Sequence, residues 1–159
     1  MKKLDKQIKT YQRSGSAPAK LAGQGECMIG ISFLHDAIKF RESGMKDLIL
    51  TCPSEGTGYE VGAVSLIKGG PDQEAAKRFI DWCLTAKAQE IGQTVGSYQF
   101  LTHPDAKPPK QADELKGTPL IKYNFLWSGK HRDEVVNKWD KAIDKYPGTG
   151  KQEAGRIIA

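Results

Sequence analysis

The run Cys27-Met28-Ile29-Gly30-Ile31-Ser32-Phe33 constrains the chain more than any other stretch, because it is apolar at odd and even positions alike. Side chains alternate sides along a strand, so such a segment has no face to offer to water and must be covered twice. Gly23 and Gly25 precede it, His35 and Asp36 follow at once, and helical spacing then takes over through Arg41. The pattern predicts a central strand running into a helix, with a polar pair at the strand's carboxyl end, where open α/β sheets collect ligands. A second run, Leu48-Ile49-Leu50, leads into the glycine-punctuated loop Pro53–Glu60. Two such loops can face one cleft.

The rest of the chain is read around that unit. Leu4, Ile8 and Tyr11 fall on one side of a helix expected over 3–12, and Ser14-Gly15-Ser16 breaks it. Ser16 reads as an N-cap, with Pro18 in the first turn of a short helix 17–22. Gly62–Ile67 reads as a third strand, ended by Gly69-Gly70-Pro71. A helix is predicted from about Asp72, with Ala75, Phe79, Trp82 and Cys83 facing inward, and Thr85 caps its continuation to Val95. His103–Lys110 holds three prolines in eight residues, which marks an exposed connector. Ser128 precedes a last helix in which Val135, Trp139 and Ile143 recur every four residues, and Pro147-Gly148 stops it.

At 159 residues the chain suits one domain with a sizeable core, or two small lobes. No apolar run approaches the roughly 18 residues that cross a bilayer, and Met1–Asp5 lacks the apolar core of a secretory signal. The net charge of +5 comes from lysines spread along the chain, so it favours anionic partners only in a general way and forms no nucleic-acid stripe. Cys27, Cys52 and Cys83 have no metal-ligand spacing and read as small buried hydrophobes, with a Cys27–Cys52 bridge left open.

Four stretches, SGSAPAKLAGQGE at 14–26, the run ending in Leu34-His35-Asp36, PSEGTGYEVGAVSLIKGGP at 53–71 and EAAKRFIDWCLTAKAQ at 74–89, carry a resemblance. They resemble, in order over roughly residues 10–145, the carboxyl-terminal half of periplasmic solute-binding proteins of bacterial ABC importers. The similar branch includes ferric-ion and hexose-phosphate binding proteins. The resemblance implies an α/β fold of the type II periplasmic binding protein kind, an incomplete two-lobe architecture of parallel or mixed sheets flanked by helices. Residues 1–59 would belong to the second lobe, 60–105 would return to the first, 106–146 would pack back on the second, and 147–159 would be a loose tail. It also implies a periplasmic location, importer membrane subunits as partners and binding without catalysis; no cofactor or metal is expected. The family's first half has no counterpart in these residues, which leads to an expectation of self-association, by exchange of lobes between copies.

The ligand follows from donor chemistry placed on that resemblance. Ferric-binding relatives hold their metal with a tyrosine pair where this chain has His35 and Asp36, and one imidazole with one carboxylate is a poor set for a hard trivalent ion. Sugar hydroxyls instead suit carboxylates that accept and an imidazole that donates or accepts, so Asp36, Glu60 and His35 are assigned to them. Ser14, Ser16 and the start of helix 17–22 are the candidates for a phosphate, with Thr57 a weaker contact. A hexose phosphate is therefore the expected solute; a ferric ion, another small anion, or a product that needs a second copy to bind are the alternatives. Each residue also has a plainer reading: Asp36 or Ser16 as a helix cap, His35 as an ordinary histidine, Glu60 as a lysine's ion pair. An acid–base or metal set of His35, Asp36, Glu60 and His103 has no nucleophile or motif spacing to support it. Pro147–Lys151 lacks the spacing and strand of a phosphate loop, and His131-Arg132-Asp133 is three letters of a kinase loop without the rest.

Overall fold

A computed structural model describes residues 2–143. The helices are α1 (Lys2–Asp5), α2 (Ala17–Gly23), α3 (Leu34–Glu42), α4 (Gln73–Cys83), α5 (Ala86–Thr94) and α6 (Phe125–Ala142), with a 3-10 helix at Lys110–Leu115 between the last two. The phosphate-loop look-alike at 147–151 lies outside the described residues.

The α/β expectation is overturned. Among the described residues the structure is 45% helix and 2% strand, with no sheet. None of the three predicted strands, 27–33, 48–50 and 62–67, is paired, and the one bridge among the described residues joins Thr57 to Leu120 in parallel. Helix formation needs only partners four residues away, whereas a strand needs a distant segment in register, which a local pattern of apolar residues does not supply. The helix expected over 3–12 also shortens to four residues.

The chain divides into two compact units. One comprises Met1–Ile49 with Lys122–Ala159, the other Leu50–Ile121. In the first, α2 packs on α3, and Ile38 is buried completely. Gly30 lies so close to the Pro18 carbonyl oxygen that a Cβ there would meet it, which lets 27–33 run hard against the first turn of α2. Tyr11 and Trp139 of α6 meet edge to face with ring centroids 5.8 Å apart, and the Tyr11 hydroxyl donates to Asp5 Oδ1 at 2.7 Å. Tyr11 and Asp5 are both 8% exposed, so a buried carboxylate and phenol, with the half-buried Trp139 indole against them, join α1, the 10–12 loop and α6.

In the second unit the caps follow from the sequence. Asp72 accepts from the Ala75 N–H at 2.9 Å and Thr85 from that of Ala88 at 3.2 Å, each answering a helix-start donor that has no partner of its own. The proline-rich connector is held by α5. Gln89 Oε1 accepts from the backbone N–H groups of Thr102 and His103, Glu90 Oε1 accepts from Lys107 N–H at 2.8 Å, and Gln93 Nε2 donates to the Lys107 carbonyl at 3.1 Å. Ala106 and Pro109 within the connector are buried, as are Ala112 and Leu115 beyond it, so the connector expected to be exposed is so only in part.

Phe79 and Trp82 correct a second expectation. Their helical stripe forms, with ring centroids 5.7 Å apart, yet they are 56% and 48% exposed and no residue of α4 is buried. In the first unit, α6 begins at Phe125, capped by the Asn124 side chain on Trp127 N–H, and Ser128 lies inside it. All three cysteines are free and half-buried.

Burial, reinforced by the hydrogen bond to Asp5 and that carboxylate's charge, pushes the Tyr11 phenol up from 10.0 to about 12. Between those values the native state keeps a proton that the unfolded chain has lost, so stability falls as pH rises. Tyr11→Phe leaves the Asp5 carboxylate without this donor and should lower unfolding free energy by about 1–3 kcal/mol at pH 8. Urea unfolding from pH 8 to pH 12 should show the wild-type advantage shrinking by about 2–3 kcal/mol above pH 10. An advantage constant across that range would show that the phenol is not held in this way.

Candidate functional site

Four of the six candidate ligand residues converge in the first unit. The link begins at Gly15, whose carbonyl accepts a short hydrogen bond from the Ser32 hydroxyl. That bond ties loop 14–16 to the end of the 27–33 segment. Phe33 strengthens it, because its ring lies where a Cβ on Gly15 would come within 2.9 Å. Phe33 in turn stacks on the His35 imidazole, with centroids 5.4 Å apart and planes 23° from parallel. His35 Nε2 is 3.8 Å from Asp36 Oδ1. Ser14 and Ser16 flank the same glycine, their hydroxyl oxygens 3.0 Å apart.

Backbone conformation explains why these side chains are presented together. Phe33 is extended, with ψ 136°, and occupies the N-cap position of α3 without a capping side chain. His35 and Asp36 are thus the second and third residues of a helix that starts uncapped, and the Asp36 carboxylate sits where the positive end of the helix dipole favours it. Asp36 makes no capping bond, so the cap reading does not describe it. Ser16 does occupy the N-cap position of α2, but its side chain forms no cap hydrogen bond and turns to Ser14 instead. Pro18 has no N–H to offer an anion, and α2 is only seven residues long. Any phosphate contact here therefore rests on the two hydroxyls rather than on the helix end.

His35 and Asp36 keep 32% and 25% of their side-chain surface, enough for hydrogen bonds to a ligand while the Phe33 ring shields one face of the imidazole. The set comprises two hydroxyls, an imidazole and a carboxylate beside an aromatic ring. It can donate to anionic oxygens, accept from alcohols, and offer an apolar surface to C–H groups.

Thr57 and Glu60 lie in the other unit. Thr57 is engaged through its backbone, donating to the Pro119 carbonyl at 2.9 Å and accepting from Ile121 N–H at 3.0 Å. Gly56 makes that approach possible, with φ 111° and a virtual Cβ only 3.1 Å from the Pro119 oxygen. Glu60 is exposed. His103, in the same unit, accepts from Asp105 N–H through Nδ1. Among the described residues no group of three His, Cys, Asp or Glu side chains is placed to hold a metal ion. His131-Arg132-Asp133 lies on α6, where Arg132 pairs with Asp133 at 3.1 Å and His131 stacks on Trp127.

The contributions of Ser32 and Phe33 were hidden in the strand reading of 27–33. No local signal marks them, because the Ser32 hydroxyl meets Gly15, 17 residues away in the chain.

No family model matches the chain, and no solved structure matches it. It is similar to an uncharacterized protein of Haemophilus influenzae, 36% identical over 147 residues, which are 90% of this chain and 42% of that protein. The chain thus spans less than half the length of this curated relative. No described helix is long and apolar enough to cross a membrane.

Gly15→Ala places a methyl group against the Phe33 ring, and the neighbour must shift. The His35 ring protons should lose the upfield shift that the stacked ring causes, seen in an aromatic proton NMR spectrum alongside unchanged helical circular dichroism. Unmoved His35 signals would mean that loop 14–16 does not position the imidazole.

Proposed function

We propose that this chain is the solute-binding part of a receptor serving a bacterial ABC importer, and that its solute is a small anionic sugar derivative, a hexose phosphate. The observation that carries the proposal is the His35–Asp36 pair at the uncapped start of α3, backed by Phe33 and joined through Gly15 to Ser14 and Ser16. In this reading Asp36 accepts from adjacent sugar hydroxyls, and a charged acceptor makes those bonds stronger than neutral ones. His35 donates to or accepts from a third hydroxyl. Ser14 and Ser16 donate to phosphate oxygens. The transport role rests on the likeness of residues 14–36, 53–71 and 74–89 to importer receptors; the helical architecture lends it no support. Binding, with the solute released unchanged, is the whole of the activity proposed.

Isothermal titration of the purified chain with glucose 6-phosphate, glucose and inorganic phosphate separates the parts. Glucose 6-phosphate should bind more tightly than either fragment, since each fragment engages only one set of donors. Asp36→Ala should weaken it by ~1.5–3 kcal/mol, the range for hydrogen bonds to a charged group, and Ser14→Ala with Ser16→Ala should erase the preference over glucose. Equal affinity for wild type and Asp36→Ala would remove Asp36 from the site. Conversion of the sugar phosphate during incubation would replace the receptor reading with an enzymatic one.

A further inference from the structure

We infer that segment 60–68 of the second unit is a self-complementary docking edge, and that its occupant is the same segment of a second copy, paired antiparallel about a two-fold axis through Val64. From Gly58 to Ile67 the chain lies outside every helix and turn, and no residue from Gly58 to Lys68 has a positive φ, so the backbone is open to strand geometry. Among the described residues, none of the backbone N–H and C=O groups from Glu60 to Leu66 is hydrogen-bonded within the chain. An apolar edge with unpaired backbone groups is a template for adding a strand.

Charge and side-chain pairing pick the occupant. With Val64 opposite its own copy, Glu60 falls opposite Lys68 at both ends, Val61 opposite Ile67, and Ala63 opposite Ser65. Opposite charges directly across an antiparallel pair are stabilising, as are β-branched pairs. A register centred one residue earlier, on Ala63, would set Glu60 against Leu66 and forfeit the ion pairs.

Area is also sufficient. Gln73 of α4 is tied to the end of this segment, its Nε2 donating to the Ile67 and Gly70 carbonyls at 3.0 Å. Val61, Val64, Leu66 and Ile67, with Phe79 and Trp82 of α4, are between 40% and 77% exposed. At about 100 Å² each they offer at most roughly 600 Å² per copy, an upper limit of roughly 1,200 Å² for two copies, which reaches the lower bound for a stable specific interface. A two-fold interface buries the same patch on both partners, which closes the assembly at two.

The inference is independent of the solute reading, since it uses no residue of the loop 14–16 and α3 cluster and its measurement needs no ligand. Sedimentation velocity of the full chain across the micromolar range should show a dimer. Val64→Lys and Val64→Glu each set like charges across the axis and should weaken association at least tenfold; mixing the two variants should restore a one-to-one dimer. Helical circular dichroism equal to wild type is the folding control, because Val64 lies outside every helix. If either variant lost that signal, Lys68→Glu, an exposed surface change, would test the same register and should also yield monomer. A wild-type monomer at every concentration, an open-ended oligomer, association unchanged by these substitutions, or a mixture that stays monomeric would each overturn the inference.

Discussion

The constraint that governs this structure is the need of backbone N–H and C=O groups for partners where the described residues form no sheet to provide them. Helices satisfy their own interiors. Elsewhere the work falls to short polar side chains. Asp72, Thr85 and Asn124 close helix starts, the Gln89–Glu90–Gln93 face of α5 clasps the connector at Thr102, His103 and Lys107, and Gln73 reaches back to the Ile67 and Gly70 carbonyls. Each such bond fixes a loop in a way that apolar contact alone would not, because its geometry is directional.

The candidate site is one instance of that arrangement. Ser32 spends its hydroxyl on the Gly15 carbonyl, and the Phe33 ring then fits the space that glycine leaves open. His35 and Asp36 inherit their placement from these two residues, neither of which needs to touch a ligand. The segment 60–66 is the counterexample, where the same need goes unmet inside the chain and is left available at the surface.

Apart from α1, which stops at Asp5 where a helix over 3–12 was expected, helix positions were legible in the sequence to within a few residues. Pro18 and Ser16 marked the start of α2, Asp72 that of α4 and Thr85 that of α5, since capping is chemistry between residues two or three apart. The start of α6 was misplaced because Ser128 and Asn124 are both good caps, and only the donor actually bound, Trp127 N–H, distinguishes them. The candidate residues His35, Asp36, Ser14 and Ser16 could be named from type and spacing. Their convergence could not, because Gly15 and Ser32 are 17 residues apart and nothing local says that they meet.

What the sequence determined by itself, then, was the set of short-range decisions: where α2, α4 and α5 begin, which residues carry hydrogen-bonding chemistry, and which runs are apolar on both faces. Tertiary structure alone decided that 27–33, 48–50 and 62–67 are not sheet strands, that Phe79 and Trp82 remain exposed, and that Tyr11 and Asp5 form a buried hydrogen-bonded pair against Trp139 in the first unit. The division has a physical origin. A helical hydrogen bond spans four residues and is written in the local chain, whereas strand pairing and burial depend on which distant surface arrives, and composition at one site carries no information about that arrival.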